Sequence, residues 1–233
     1  MDLSALELME RHAEAMFTQD SRKRLLGINE PWPGSPPAPR FFLGRTIDGE
    51  AVCRFRHDVP DPLAERIAAL CADEAAVSDF RTMPMRADAY MELLQGERST
   101  LGPCFLVPAA GTEPPSHAVR LARADSGLLR GGFEWLIDEI DYAQPCVAIV
   151  KDGRAVSVCR SVRVSPRAHE AGLETLEAYR GRGYAAAAAA GWAAAVRSTG
   201  GVPLYSTASD NLASQSVARK LGLAFYGLNF TVY

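Results

Sequence analysis

The chain has 233 residues, 48% of them hydrophobic, which is enough for one large core or two small ones. A net charge of −3 and a pI near 5.9 exclude nucleic-acid binding driven by bulk positive charge. No apolar run is long enough to span a bilayer, and Asp2, Glu7, Glu10 and Glu14 interrupt the N-terminus too often for a signal peptide, so neither a membrane nor an export route is expected.

Ser4-Ala5-Leu6-Glu7 has the capping-box pattern that starts a helix. Leu6, Met9, Ala13, Met16 and Phe17 then recur at helical spacing. The proline-rich stretch Asn29 to Arg40 reads as an extended connection. Phe41-Phe42-Leu43 opens a strand, Asp48-Gly49 signals a hairpin turn, and Ala51 to Phe55 returns. Pro62 to Ala72 and Ala87 to Leu94 read as helices, and Cys104 to Val107 as a short buried strand. Pro108 to Ser116 carries three prolines and a glycine, and a boundary is expected there. It divides an α+β segment over 1–114 from a second unit over 115–233.

In the second unit His117 to Leu121 alternates as a strand, and Gly127 to Ile140 reads as a helix that includes Gly131 and Gly132. Cys146 to Val150, the turn Asp152-Gly153 and Arg154 to Val164 form a hairpin pattern. His169 to Leu176 is the next strand. Tyr179-Arg180-Gly181-Arg182-Gly183-Tyr184-Ala185 leads from it into an alanine-rich helix that stops near Gly200-Gly201. Val202 to Thr207 is a strand, Asn211 a helix cap, Gly222 a helix stop, and Leu223 to Tyr233 supplies one or two closing strands.

The glycine turn carries the chemistry. Glycines leave backbone amides uncovered, and a helix start offers unpaired N–H groups with a partial positive charge. Arg180 and Arg182 add full charges. The combination is suited to phosphate. Gly181 to Ala186 also fits the G-x-G-x-x-A form of the dinucleotide fingerprint, with Asp210 downstream, but too few residues follow Asp210 for the remaining strands of that fold. The five cysteines (Cys53, Cys71, Cys104, Cys146, Cys159) lack any C-x-x-C pair, as in a reduced cytoplasmic protein, and no His/Cys cluster suggests a metal.

Arg180-x-x-Gly183-x-Ala185 resembles the Arg/Gln-x-x-Gly-x-Gly/Ala signature of the GNAT superfamily of N-acetyltransferases. Asn211-Leu212-Ala213-Ser214 and Ala218-Arg219-Lys220-Leu221-Gly222-Leu223 resemble that family's second motif, and the element order agrees from His117 to Tyr233. The resemblance implies a mixed α/β (α+β) fold with a mostly antiparallel sheet flanked by helices. It implies acetyl-CoA as co-substrate, with its pyrophosphate on the amides of Arg180, Gly181, Arg182, Gly183, Tyr184 and Ala185. The pantetheine arm would pair with the edge of Leu173, Thr175 and Leu176, in a gap before Val202 to Thr207, with Asn211 and Ser214 beside the cofactor.

Acyl transfer to an amine needs a base. His169, matching the position where several family members hold a base, is the first candidate and Glu170 the second. The amide of Leu173 or Thr175 could serve as oxyanion donor. Many members carry a tyrosine acid where this chain has Ala218, which leaves Ser214, Ser216, Tyr205 or water for that step. The expected function is acetyl transfer to a primary amine of a small molecule or peptide. Transfer of another acyl group and a non-catalytic acyl-CoA sensor are the rivals. A homodimer is allowed. Residues 1–114 are read as a segment shaping the acceptor pocket or as a degenerate copy of the fold.

Overall fold

The computed structural model describes residues 3–109 and 117–233. The boundary expected between 114 and 115 lies outside the described residues. In chain order the elements are α1 (Ala5–Met16), β1 (Phe17–Gln19), β2 (Leu25–Ile28), β3 (Phe41–Thr46), β4 (Ala51–Phe55), α2 (Asp61–Cys71), α3 (Ala87–Leu94) and β5 (Ser99–Leu106). There follow β6 (Ala118–Leu121), 3-10 turns at Arg123–Leu129 and Glu134–Leu136, β7 (Cys146–Lys151), β8 (Arg154–Val164) and β9 (Ala168–Thr175). A 3-10 turn at Glu177–Tyr179, α4 (Tyr184–Ser198), β10 (Val202–Ser206), α5 (Leu212–Lys220) and β11 (Ala224–Val232) complete the chain.

The first helix begins as the capping box dictates. Ser4 Oγ accepts from the Glu7 amide at 3.2 Å, and Glu7 Oε2 accepts from the Ser4 amide at 2.8 Å. It ends one residue earlier than the apolar period extends, because Phe17 leaves the helix to open β1 and packs edge-on against Phe42. The expected helix from Gly127 to Ile140 is not formed. Gly131 and Gly132 take φ values of +88° and +155°, which no helix accommodates, and two 3-10 turns flank the break. The C-terminal stretch supplies a single strand, β11.

Nine strands form one sheet in the order β4-β3-β11-β5-β10-β9-β8-β7-β6. Among the described residues, β9–β10 is its one parallel pair; the other neighbours are antiparallel. The sheet runs across the expected division: β5, from the N-terminal side, pairs with β10 on one edge and β11 on the other. Along β9 the side chains alternate between the two faces. Ala171 and Leu173 pack with Trp192, Ala193 and Val196 of α4, whereas Ala168 belongs to the core under α1. The 3-10 segments cover the same side of β7 and β8 as α1 covers further along, burying Leu129, Phe133 and Leu136 against Ala148 and Val158.

Candidate active site

The glycine turn gives α4 an open start. Gly181 and Gly183 have φ of +77° and +83°, a left-handed conformation costly to other residues, and a Cβ at either would meet nothing within 4 Å. Gly183 is the N-cap and brings no side chain to the first amides of α4. Those amides therefore face a cleft of about 540 Å³. Arg180, Gly181, Gly183, Tyr184 and Ala185 line it from the turn, and Leu173 and Thr175 from β9. Asn211 and Ser214 line it from the start of α5, where Asn211 Oδ1 accepts from the Ser214 amide at 3.0 Å.

Two of the expected cofactor residues lie beside the cleft rather than in its wall. The Leu176 side chain fills the space above Gly132, where an added Cβ would meet Leu176 Cδ2 at 2.4 Å. The Arg182 guanidinium sits over the Tyr179 ring at 5.4 Å. Arg180 folds back so that its Nε donates to the Thr175 carbonyl at 3.2 Å. Lys220 adds a further positive charge to the lining.

β9 and β10 separate within this region. Their register is Ala168 with Val202, His169 with Pro203 and Glu170 with Leu204, and no pairing continues beyond Glu170. β10 keeps β5 on its other edge as far as Ser206. The β9 edge from Ala171 to Thr175 therefore faces a gap rather than a paired neighbour.

His169 and Glu170 have different surroundings. His169 lies inside the paired section, on the α4 face. Its Nδ1 is 2.8 Å from Ser161 Oγ, which also accepts from Trp192 Nε1 at 3.1 Å. The Ser161 hydroxyl hydrogen is then available to Nδ1, which suits a neutral ring carrying its proton on Nε2. Burial lowers the His169 pKa and favours the same neutral form.

Glu170 stands where the strands part, on the opposite face, with 2% exposure. Its Oε1 is 2.5 Å from His12 Nδ1 of α1, and its Oε2 accepts from Ser206 Oγ at 2.9 Å. His12 Nε2 lies 3.7 Å from Cys104 Sγ and 3.2 Å from Asn229 Nδ2. Burial works against a charged His12, but Cys104 and the Glu170 carboxylate outweigh it and hold its pKa well above the ordinary histidine value. His12, Cys104, Ser206 and Asn229 have no local motif, so no sequence pattern singled them out.

The position that many GNAT members fill with tyrosine is Ala218, packed in the core under α5. Tyr205 and Ser214 supply hydroxyls nearby: both line the cleft, 2.6 Å apart, and burial pushes the Tyr205 pKa up to about 12. Ser216 also lines the cleft. Among the described residues no group of three or more His, Cys, Asp or Glu could hold a metal ion. No helix among them is long and apolar enough to cross a membrane.

Residues 145–233 match the family model described as GNAT acetyltransferase. No curated protein matches the chain. Solved structures with a similar course include a GNAT-family protein from Novosphingobium aromaticivorans, at 21% identity and a TM-score of 0.46. That match covers 59% of this chain and 65% of the other, just under two thirds of its length. A GCN5-related N-acetyltransferase-like protein from Streptococcus suis matches at 16% identity and a TM-score of 0.47, over 99% of this chain and 100% of that one. A GCN5-related N-acetyltransferase from Kribbella flavida matches at 18% identity and 0.45, over 100% and 96%.

Proposed function

We propose that this chain, a member of the GNAT superfamily over its C-terminal half, transfers an acetyl group from acetyl-CoA to a primary amine. The observation that carries the reading is the parting of β9 and β10 directly after Glu170, beside an uncapped helix start. The open β9 edge offers backbone partners to a pantetheine arm. The amides at Arg180 to Ala185, with Arg180 and Lys220, suit a diphosphate.

Glu170 is the base in this reading, acting through Ser206. Ser206 is half-buried at the gap and already donates to Glu170 Oε2. The amine nitrogen attacks the thioester carbonyl, so a C–N bond forms and the C–S bond then breaks. The amine's proton passes to Ser206 Oγ while the Ser206 proton moves to Glu170. The departing thiolate takes a proton from Tyr205, whose raised pKa keeps it a protonated donor at neutral pH. His12 acts on this step only by holding Glu170. An amide on the open edge, at Leu173 or Thr175, serves the oxyanion.

The test is calorimetric titration with acetyl-CoA followed by turnover over a broad amine panel. Binding with turnover supports the reading. Binding without turnover, over the whole panel, favours a non-catalytic acyl-CoA sensor.

A further inference from the structure

The face of β9 opposite α4 carries a second arrangement, built on Arg160. This residue pairs in register with Gly172, two positions beyond Glu170 on the same face of the strand. A Cβ at Gly172 would lie 2.2 Å from Val162 Cγ1 and 3.3 Å from Arg160 Nη1, so the glycine makes room for the Val162 side chain and lets the end of the guanidinium come close to the strand. Gly172 itself remains half-buried.

The Arg160 guanidinium stacks over the Trp135 ring at 4.3 Å, and Trp135 is 41% exposed. Stacking occupies a face of the guanidinium and leaves its in-plane N–H donors unused. Among the described residues the Arg160 side chain forms no hydrogen bond and no ion pair, and its buried Nε has no partner. The nearest acids acting on it are Glu139 and Glu174, at longer range. Arg45, Arg54 and Arg163 also have a buried Nε without a partner, but their terminal nitrogens face acids, Glu74, Glu10 and Glu30 respectively. Arg160 is thus a half-buried cation, held flat by an aromatic ring, with its donors unspent.

We propose that Arg160 binds a carboxylate of the acceptor, and that the acceptor is an amino acid rather than a simple amine. This rests on the reading of Glu170 and Ser206 as the site of amine deprotonation. Glu170 and Gly172 are two positions apart on the strand, about 6–7 Å of rise. An amine at Ser206 and a carboxylate on Arg160 therefore belong to one small molecule, with the two groups a few bonds apart. A planar guanidinium edge takes a carboxylate through two parallel hydrogen bonds, which a lone ammonium would not match. Trp135, stacked on the guanidinium and 41% exposed, offers an apolar wall to the substituent.

The experiment is calorimetric titration of the full chain, saturated with CoA, with each common amino acid and with its decarboxylated amine. At least one amino acid is expected to bind, with its amine weaker by roughly 10- to 100-fold. Arg160→Gln should erase that difference, and Arg160→Lys should restore part of it, while CoA affinity stays within about twofold of wild type. The proposal is overturned if no amino acid binds, if each pair binds equally, or if Arg160→Gln keeps the preference. Should Arg160→Gln fail to fold, the paired titrations on the unaltered chain and on Trp135→Ala decide the matter, the latter with a weakened preference. Turnover measured in parallel tests acyl transfer separately: a carboxylate preference without turnover keeps this site and removes the transferase reading.

Discussion

His12 Nδ1 and Glu170 Oε1 are 2.5 Å apart, and both side chains are almost wholly withdrawn from water. The contact ties α1 to the strand that borders the gap, 158 positions away in the chain. A buried ion pair carries a desolvation penalty that its attraction offsets only with good geometry and further hydrogen bonds. Glu170 has those bonds on both oxygens, from His12 and Ser206. The N-terminal helix therefore does more than cover the sheet: it orients the carboxylate at the gap.

Glu170→Gln keeps the shape and removes the charge. Turnover should fall by about 100-fold or more, with acetyl-CoA affinity within about twofold of wild type. His169→Gln should lose much less, because His169 lies inside the paired section and serves Ser161 and Trp192. Steady-state kinetics on both variants discriminate. A large loss at His169 with near-normal rates at Glu170 would reverse the assignment.

The His12–Glu170 pair gives a pH signature. A histidine whose folded pKa is raised contributes stability that is fully present below the unfolded value of 6.5 and is lost as pH rises through the folded value. The melting-temperature difference between wild type and His12→Gln should be greatest in mildly acidic solution, below pH 6.5, and shrink as pH rises into alkali. A difference that grows with pH contradicts a charged His12.

Gly183→Asp puts a side chain and a negative charge at the start of α4, in a backbone conformation with φ of +83°. The shift in melting temperature produced by CoA should vanish. Gly183→Ala separates the two effects: it adds about 1–2 kcal/mol of backbone strain without the charge. If Asp and Ala weaken CoA equally, strain explains the loss; if neither does, the diphosphate lies elsewhere.

Tyr205→Phe removes the hydroxyl 2.6 Å from Ser214 Oγ but leaves the ring packed beside Phe105. With Tyr205 as the acid, kcat should drop about 10- to 100-fold while the KM for acetyl-CoA changes little. Because its pKa is pushed up to about 12, Tyr205 itself contributes no limb to a neutral-range pH profile. An unchanged kcat means that the thiolate leaves without it.

Local signals were legible because their physics is local. The Ser4 capping box, the Asp48-Gly49 hairpin and the glycine turn before α4 each depend on residues within one turn of chain. The helix expected over Gly127 to Ile140 failed where two adjacent glycines adopted conformations that apolar spacing does not register. The surroundings of His169 and Glu170 were not legible at all. Adjacent on one strand, they differ only in what the two faces meet: Ser161 and Trp192 on one, His12 and Ser206 on the other.

By itself, then, the amino-acid order determined that a helix with an uncapped, glycine-led start follows a strand, because φ freedom and exposed amides belong to a few consecutive residues. Tertiary structure alone decided that β5 inserts between β10 and β11, bringing Cys104 beside His12 and Asn229. It also decided that Arg160 lies over Gly172 with its donors unspent. Those placements depend on strand order and register, which arise from packing between segments far apart in the chain and leave no short-range pattern to read.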